Sequence, residues 1–183
     1  MPAKTRPGYR SHSPLHARYS GSQLAFAVSF LRSHERTRLV TLNIGVNDLA
    51  VCYRMTPTHC TGSAAATQLA ETSKNVAMIF TTLREQAGYQ GTLVLLTNYP
   101  PSYLPAQDAP YAALDAALAT AAKESGARVA DGFGALQRAS TAFGGNPCRA
   151  GLLVPLPTGK CDYHPSAQGQ QLLADAVEKA IAN

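Results

Sequence analysis

A chain of 183 residues with 45% hydrophobic content is the size of one α/β domain and leaves little room for two. No apolar run approaches the ~18 residues that cross a bilayer, and the opening MPAKTRPGYR is basic without the apolar core of an export signal. The formal charge of +5 is spread mostly over single Arg and Lys residues, and aromatic residues make up only 7%, so the basic stripe with stacking rings that nucleic-acid binding needs is missing.

Residues 1–18 read as a basic, poorly structured segment ahead of one domain over 19–183. SGSQLAFAVSFLRSH offers Ser20 or Ser22 as an N-cap, with Leu24, Ala25, Val28 and Leu31 on one helical face. RLVTLNI follows as a buried strand closed by Gly45, and a turn-rich loop runs from there to about residue 62. Ser63 is the expected cap of a long helix that turns Leu69, Val76, Ile79, Phe80 and Leu83 inward and stops at Gly88. TLVLLTN is a second buried strand. Asp108 with Pro110 opens a helix over APYAALDAALATAAKES that Gly126 ends. ARVADGF supplies a third, shorter strand with Asp131 at its exit. A helical turn at GALQRAS, a second turn-rich loop and a helix from about Ser166 to Ile181 complete the chain.

This order, α-β-α-β-α-β-α with strands apolar along their whole length, predicts an α/β fold with a parallel sheet covered by helices on both faces. In such sheets ligands collect beyond the carboxyl ends of the strands. The loops after TLNI, LLTN and VAD should therefore share one rim.

The four cysteines form two local pairs, Cys52 with Cys60 and Cys148 with Cys161, each inside a turn-rich segment. Neither pair has the C-x-x-C spacing of a zinc knuckle, which favours two disulfides over a metal site and an oxidising, extracellular setting. A chain suited to export that opens without an export signal suggests that its true beginning is missing.

Two short stretches carry chemistry. In GVND, directly after the first strand, the glycine allows a tight exit and Asn47 can aim its amide over the sheet edge; an Asn-Asp turn closing the strand is the alternative. In DYHPSAQG, Pro165 and Ser166 set the start of the last helix and hold His164 on the loop before it. An imidazole so placed can act as a general base.

GVND resembles block III and DYHPSAQG resembles block V of the SGNH (GDSL) hydrolases, serine esterases and lipases built on a flavodoxin-like sheet. YSGSQLAFAVSFLRSHERTRLVTLNIGVNDLA is similar to the helix and third strand of their secreted bacterial members, so the resemblance runs from about Tyr19 to the end of the chain. It implies a flavodoxin-like, three-layer α/β/α architecture and acyl transfer from an ester to a serine. Asn47 would donate to the oxyanion and His164 would activate the serine. The implied substrate is a small-molecule ester, a lipid or an acylated sugar, with no metal or other cofactor.

The chain departs from the family pattern at both ends of this machinery. Block V is usually D-x-x-H, but Cys161 stands three before His164 and the acid is Asp162, two before; Asp162 or a main-chain carbonyl would orient the ring. Block I, which carries the nucleophile, and the block II glycine are absent. Ser20 and Ser22 sit at a helix start with no strand before them, and read as caps. Of the family's strand order 2-1-3-4-5 only strands 3, 4 and 5 remain, which leaves RLVTLNI as a bare edge. The expectation is an esterase truncated before its nucleophile. A catalytically inactive module that binds acyl or glycan ligands is the alternative, and a homodimer paired through residues 38–44 would cover the edge. His12, His16, His34 and His59 read as surface residues and Asp48 as a brace for the loop after the first strand. The rings of NYPPSYLP either line an acyl or aryl pocket or stiffen a rim loop.

Overall fold

A computed structural model describes residues 19–182. The segment 1–18, with His12 and His16, lies outside them. Helix α1 spans Gln23–Ser33 and is capped by Ser22, whose side chain accepts from the amide of Ala25 at 3.1 Å. Strand β1 spans Leu39–Leu42, helix α2 Val46–Met55, helix α3 Gly62–Glu85 and strand β2 Thr92–Leu96. Helix α4 covers Pro105–Glu124, strand β3 Arg128–Ala130 and helix α5 Gly132–Ser140. A 3-10 turn at Thr141–Phe143, strands β4 (Leu153–Pro155) and β5 (Cys161–Pro165), and helix α6 (Ala167–Ala182) follow.

The three expected strands form a parallel sheet in the order β1-β2-β3, with Leu39 opposite Thr92 and Leu96 opposite Ala130. Strand β2 is central, and Leu93, Val94 and Leu95 are all buried. Period-two alternation then divides the core between the faces. Leu93 and Leu95 join Phe80, Leu83, Leu114 and Leu118 of α3 and α4, whereas Leu96 joins Leu136, Leu152 and Leu173 around α5 and α6. Helices thus cover both faces of the sheet. Among the described residues β1 is an edge, as expected: Leu39 and Thr41 are exposed while Val40 and Leu42 are half-buried.

Four local expectations need correction. The segment after β1 is helix α2 and not a loop. Helix α3 starts one residue before Ser63, with Thr61 at the cap position and no side-chain cap bond. Helix α4 begins at Pro105 rather than at Asp108, and Pro110 lies in its second turn, where the ring suits the helical φ and the one helical donor it withholds, from the carbonyl of Ala106, falls on an exposed stretch that water reaches. The loop before the last helix contains an antiparallel pair, β4-β5, so His164 lies on a strand. Both cysteine pairs are disulfides, Cys52–Cys60 and Cys148–Cys161. The second ties β5 to the segment before β4.

Candidate active site

The exit of β1 is shaped by Gly45. Its φ of 106° lies in the left-handed region that favours glycine, and a Cβ there would press on the side-chain ends of Leu114 and Leu118 at 3.0–3.3 Å. The chain turns there into α2, which places Asn47, exposed, in the first helical turn. Unpaired amides and the positive end of the helix dipole gather at such a turn and suit a developing oxyanion. Asp48 shares that turn and complements the dipole.

On β5, Asp162 and His164 are two residues apart. Side chains i and i+2 of a strand share a face, so D-x-H on a strand brings carboxylate and imidazole together. His164 Nδ1 donates to Asp162 Oδ1 at 2.9 Å, which leaves Nε2 as the nitrogen free to take a proton. The hydrogen bond from His164, ahead of the electrostatic attraction between the pair, holds the Asp162 carboxyl below the usual carboxylate range. The imidazole is 74% exposed. Cys161, three residues before His164, is held in a disulfide and offers the ring no free thiol.

Ser166 caps α6: its hydroxyl accepts from the amide of Gly169 at 3.2 Å and donates to the carbonyl of Gly151 at 2.7 Å. Ser22 is engaged as the cap of α1 and Ser20 precedes it in a bend. Asp131 caps α5 through the amide of Gly134 at 2.7 Å and pairs with Arg138 at 3.3 Å. His34 stacks on Phe30 with ring centroids 3.9 Å apart, and His59 stacks on Tyr53; both are exposed.

The loop after β2 ties the two arms of the site together. Asn98 Nδ2 donates to the carbonyl of Ile44, three residues before Asn47, at 3.1 Å. The Tyr99 hydroxyl donates to the carbonyl of Tyr163, the residue between Asp162 and His164, at 3.1 Å. Behind Asn98 lies Asp115 of α4, whose Oδ1 accepts from the Asn98 amide at 2.8 Å and from Nδ2 at 2.9 Å. Burial raises the Asp115 carboxyl to about 6 against these lowering bonds. Sequence reasoning passed over this pair. In NYPPSYLP, Tyr103 meets Phe133 edge-on with centroids 5.0 Å apart and donates to its carbonyl, and Pro100 is buried.

A cleft of about 570 Å³ lies between α5 and α6, bordered by Val129, Asp131, Arg138, Leu172 and Lys179; neither Asn47 nor His164 lines it. Among the described residues, no group of three or more His, Cys, Asp or Glu is placed to hold a metal ion. No helix among them is long and apolar enough to cross a membrane.

The family model described as "GDSL-like Lipase/Acylhydrolase family" matches residues 4–172. A search of curated proteins gives no match. Among solved structures, Axe2, an acetylxylan esterase from Geobacillus stearothermophilus, is similar with a TM-score of 0.55 at 18% identity, over 85% of this chain and 68% of that one. A catalytic mutant of Axe2 with an aspartate replaced by alanine gives a TM-score of 0.57 at 18% identity and the same coverage. LAE5, an alpha/beta hydrolase enzyme from the metagenome of Lake Arreo, Spain, is 21% identical over 84% of this chain and 66% of that one, with a TM-score of 0.49. Identities this low speak for the fold alone.

Proposed function

Because the chain belongs to the GDSL-like lipase/acylhydrolase family, we propose that it hydrolyses carboxylic esters of small molecules through an acyl-serine, with His164 as base, Asp162 as its orienter and Asn47 as an oxyanion donor. The observation that carries this reading is the Asp162–His164 bond on a strand at the rim, with Nε2 left open. The serine oxygen attacks the ester carbonyl and passes its proton to Nε2, while the Asn47 amide and the first-turn amides of α2 receive the charge that forms on the carbonyl oxygen. Collapse expels the alcohol, which takes the proton back from Nε2. Water then repeats the sequence on the acyl-enzyme.

The attacking serine is the incomplete part, and we place it outside residues 19–182. Ser22 and Ser166 are occupied as helix caps, and none of the strands β1, β2 and β3 ends on a serine. The substrate alternatives are a short ester, a lipid or an acylated sugar; the last is the first to test, because a neighbour in fold is an acetylxylan esterase. Two disulfides fit an extracellular protein.

Labelling with a fluorophosphonate tests the proposal. The expected result is one labelled serine, outside residues 19–182, that is lost in His164→Ala. Label on Ser20 or Ser22 would overturn that placement. A chain that takes no label yet binds an acetylated sugar saturably belongs to the second reading, an inactive module that keeps the rim as a binding surface, which the exposure of His164 and Asn47 favours.

A further inference from the structure

We infer that the dipeptide Asn98–Tyr99, held from behind by Asp115, is a positioning device that fixes the Asn47 arm and the His164 arm of the rim to one another. The roles of the two arms rest on the ester-hydrolase reading, but the coupling between them is a property of the fold and can be tested by itself.

The device works in two directions from one loop. Asn98 is 2% exposed and reaches sideways to the carbonyl of Ile44, where the chain leaves β1 for the left-handed turn at Gly45. That carbonyl sets the direction in which α2, and with it Asn47, sets out. Tyr99 reaches the other way, to the carbonyl of Tyr163 inside the Asp162–His164 unit. The dipeptide between these two anchors is stiff, because Pro100 restricts Tyr99 to extended backbone and Pro101 follows.

Asp115 is the backstop. It is 7% exposed, and one of its oxygens takes both the amide and Nδ2 of Asn98, which dictates which end of the Asn98 side chain faces Ile44. This arrangement is costly. Asn98 Oδ1 and Asp115 Oδ2 are buried without a hydrogen-bond partner among the described residues, whereas an apolar residue in the place of Asp115 would avoid burying a carboxylate. A pair that sacrifices stability while orienting two strand exits fits a role in geometry better than one in cohesion. The neighbouring leucines of α4 seat the same turn: Leu114 and Leu118 close over Gly45.

Nuclear magnetic resonance on the full chain reads the coupling without any turnover. Tyr99→Phe removes only the hydroxyl donor. Its expected effect is several-fold faster exchange of the low-field Nδ1–H signal of His164, assigned by its loss in His164→Gln, with no comparable fall in melting temperature. Asp115→Ala is expected to move the side-chain amide signals of Asn47, assigned through Asn47→Asp. Asp115→Asn keeps the acceptor for Asn98 and is expected to restore them. A Tyr99→Phe variant with an unchanged His164 signal, or an Asp115→Asn variant that moves Asn47 as far as the alanine, overturns the proposal. Should Asp115→Ala fail to fold, the Tyr99→Phe result decides. Wild-type protein that neither labels with a fluorophosphonate nor hydrolyses an ester removes the catalytic reading of the arms and leaves these resonance results to judge the coupling.

Discussion

Asp162 and His164 meet at 2.9 Å across a spacing of two, because both side chains leave the same face of β5. A carboxylate that accepts from an imidazole is favoured in its charged form, so the Asp162 carboxyl lies below its ordinary value. The sign follows: the contact is fully formed above the ordinary carboxylate range and is lost as pH falls through the lowered value. A carbon-13 titration is expected to show an Asp162 midpoint below about 3.9. His164→Ala should bring it back up. A wild-type midpoint at or above the ordinary value would mean that the two side chains do not pair in solution.

The buried carboxyl of Asp115 behaves in the opposite sense. Raised on folding to about 6 from 3.8, it binds its proton more tightly in the folded chain, so its contribution is full at pH below the unfolded value and is lost as pH rises through about 6. A rise of that size is worth about 3 kcal/mol at most. Asp115→Asn keeps the acceptor for Asn98 and carries no charge. Urea denaturation at pH 5 and pH 8 should find the asparagine variant gaining on wild type by about 1 kcal/mol as pH rises, the rest of the loss falling below pH 5. A difference independent of pH would show that Asp115 does not titrate in this interval.

Gly169, the last residue of DYHPSAQG, stands in the first turn of α6 where an added Cβ would collide with the carbonyl oxygen of Leu152. The same carbonyl accepts from the amide of Ser166 at 2.9 Å, so it has no room to yield. Gly169→Ala is expected to destabilise the chain by about 1–3 kcal/mol through overpacking. The measurement is a shift of the urea midpoint without a change of slope. No shift would show that α6 stands far enough from Leu152 to admit a methyl group.

The outer edge of β1 invites self-pairing. Leu39 and Thr41 are exposed on a strand edge that no other strand among the described residues pairs with. Sedimentation is expected to find a homodimer joined through residues 38–44 that the double substitution Leu39→Lys with Thr41→Lys dissociates. A monomeric wild type at high protein concentration sinks the idea.

Legibility in the sequence followed burial. Strand β2 and helices α3, α4 and α6 press continuous apolar faces on the core, so the sequence pattern shows each of them, along with the parallel order of the sheet. Helix α2 offers no such stripe: Cys52 is its only buried residue, and Val51, Tyr53 and Met55 face solvent. The β4-β5 pair is hidden by its prolines and irregular register. Asp115 reads as a surface acid in an alanine-rich helix. Its place between Leu114 and Leu118, three residues before the latter on the inward face, was the available signal. GVND and DYHPSAQG stand out because short motifs bracket Asn47 and His164, but the strand that brings Asp162 and His164 together across D-x-H becomes visible only once β5 is paired.

Helix α6 is fastened at two distant points. Ser166 secures its first turn beside His164, and Arg128, at the foot of β3, donates to the carbonyls of Ala180 and Ile181 at 3.0 and 2.8 Å. The two ends of the helix are thus held independently, one beside the Asp162–His164 pair and one at the start of β3. Removing the final turn would take away both carbonyls that Arg128 holds and leave the guanidinium at the start of β3 without them.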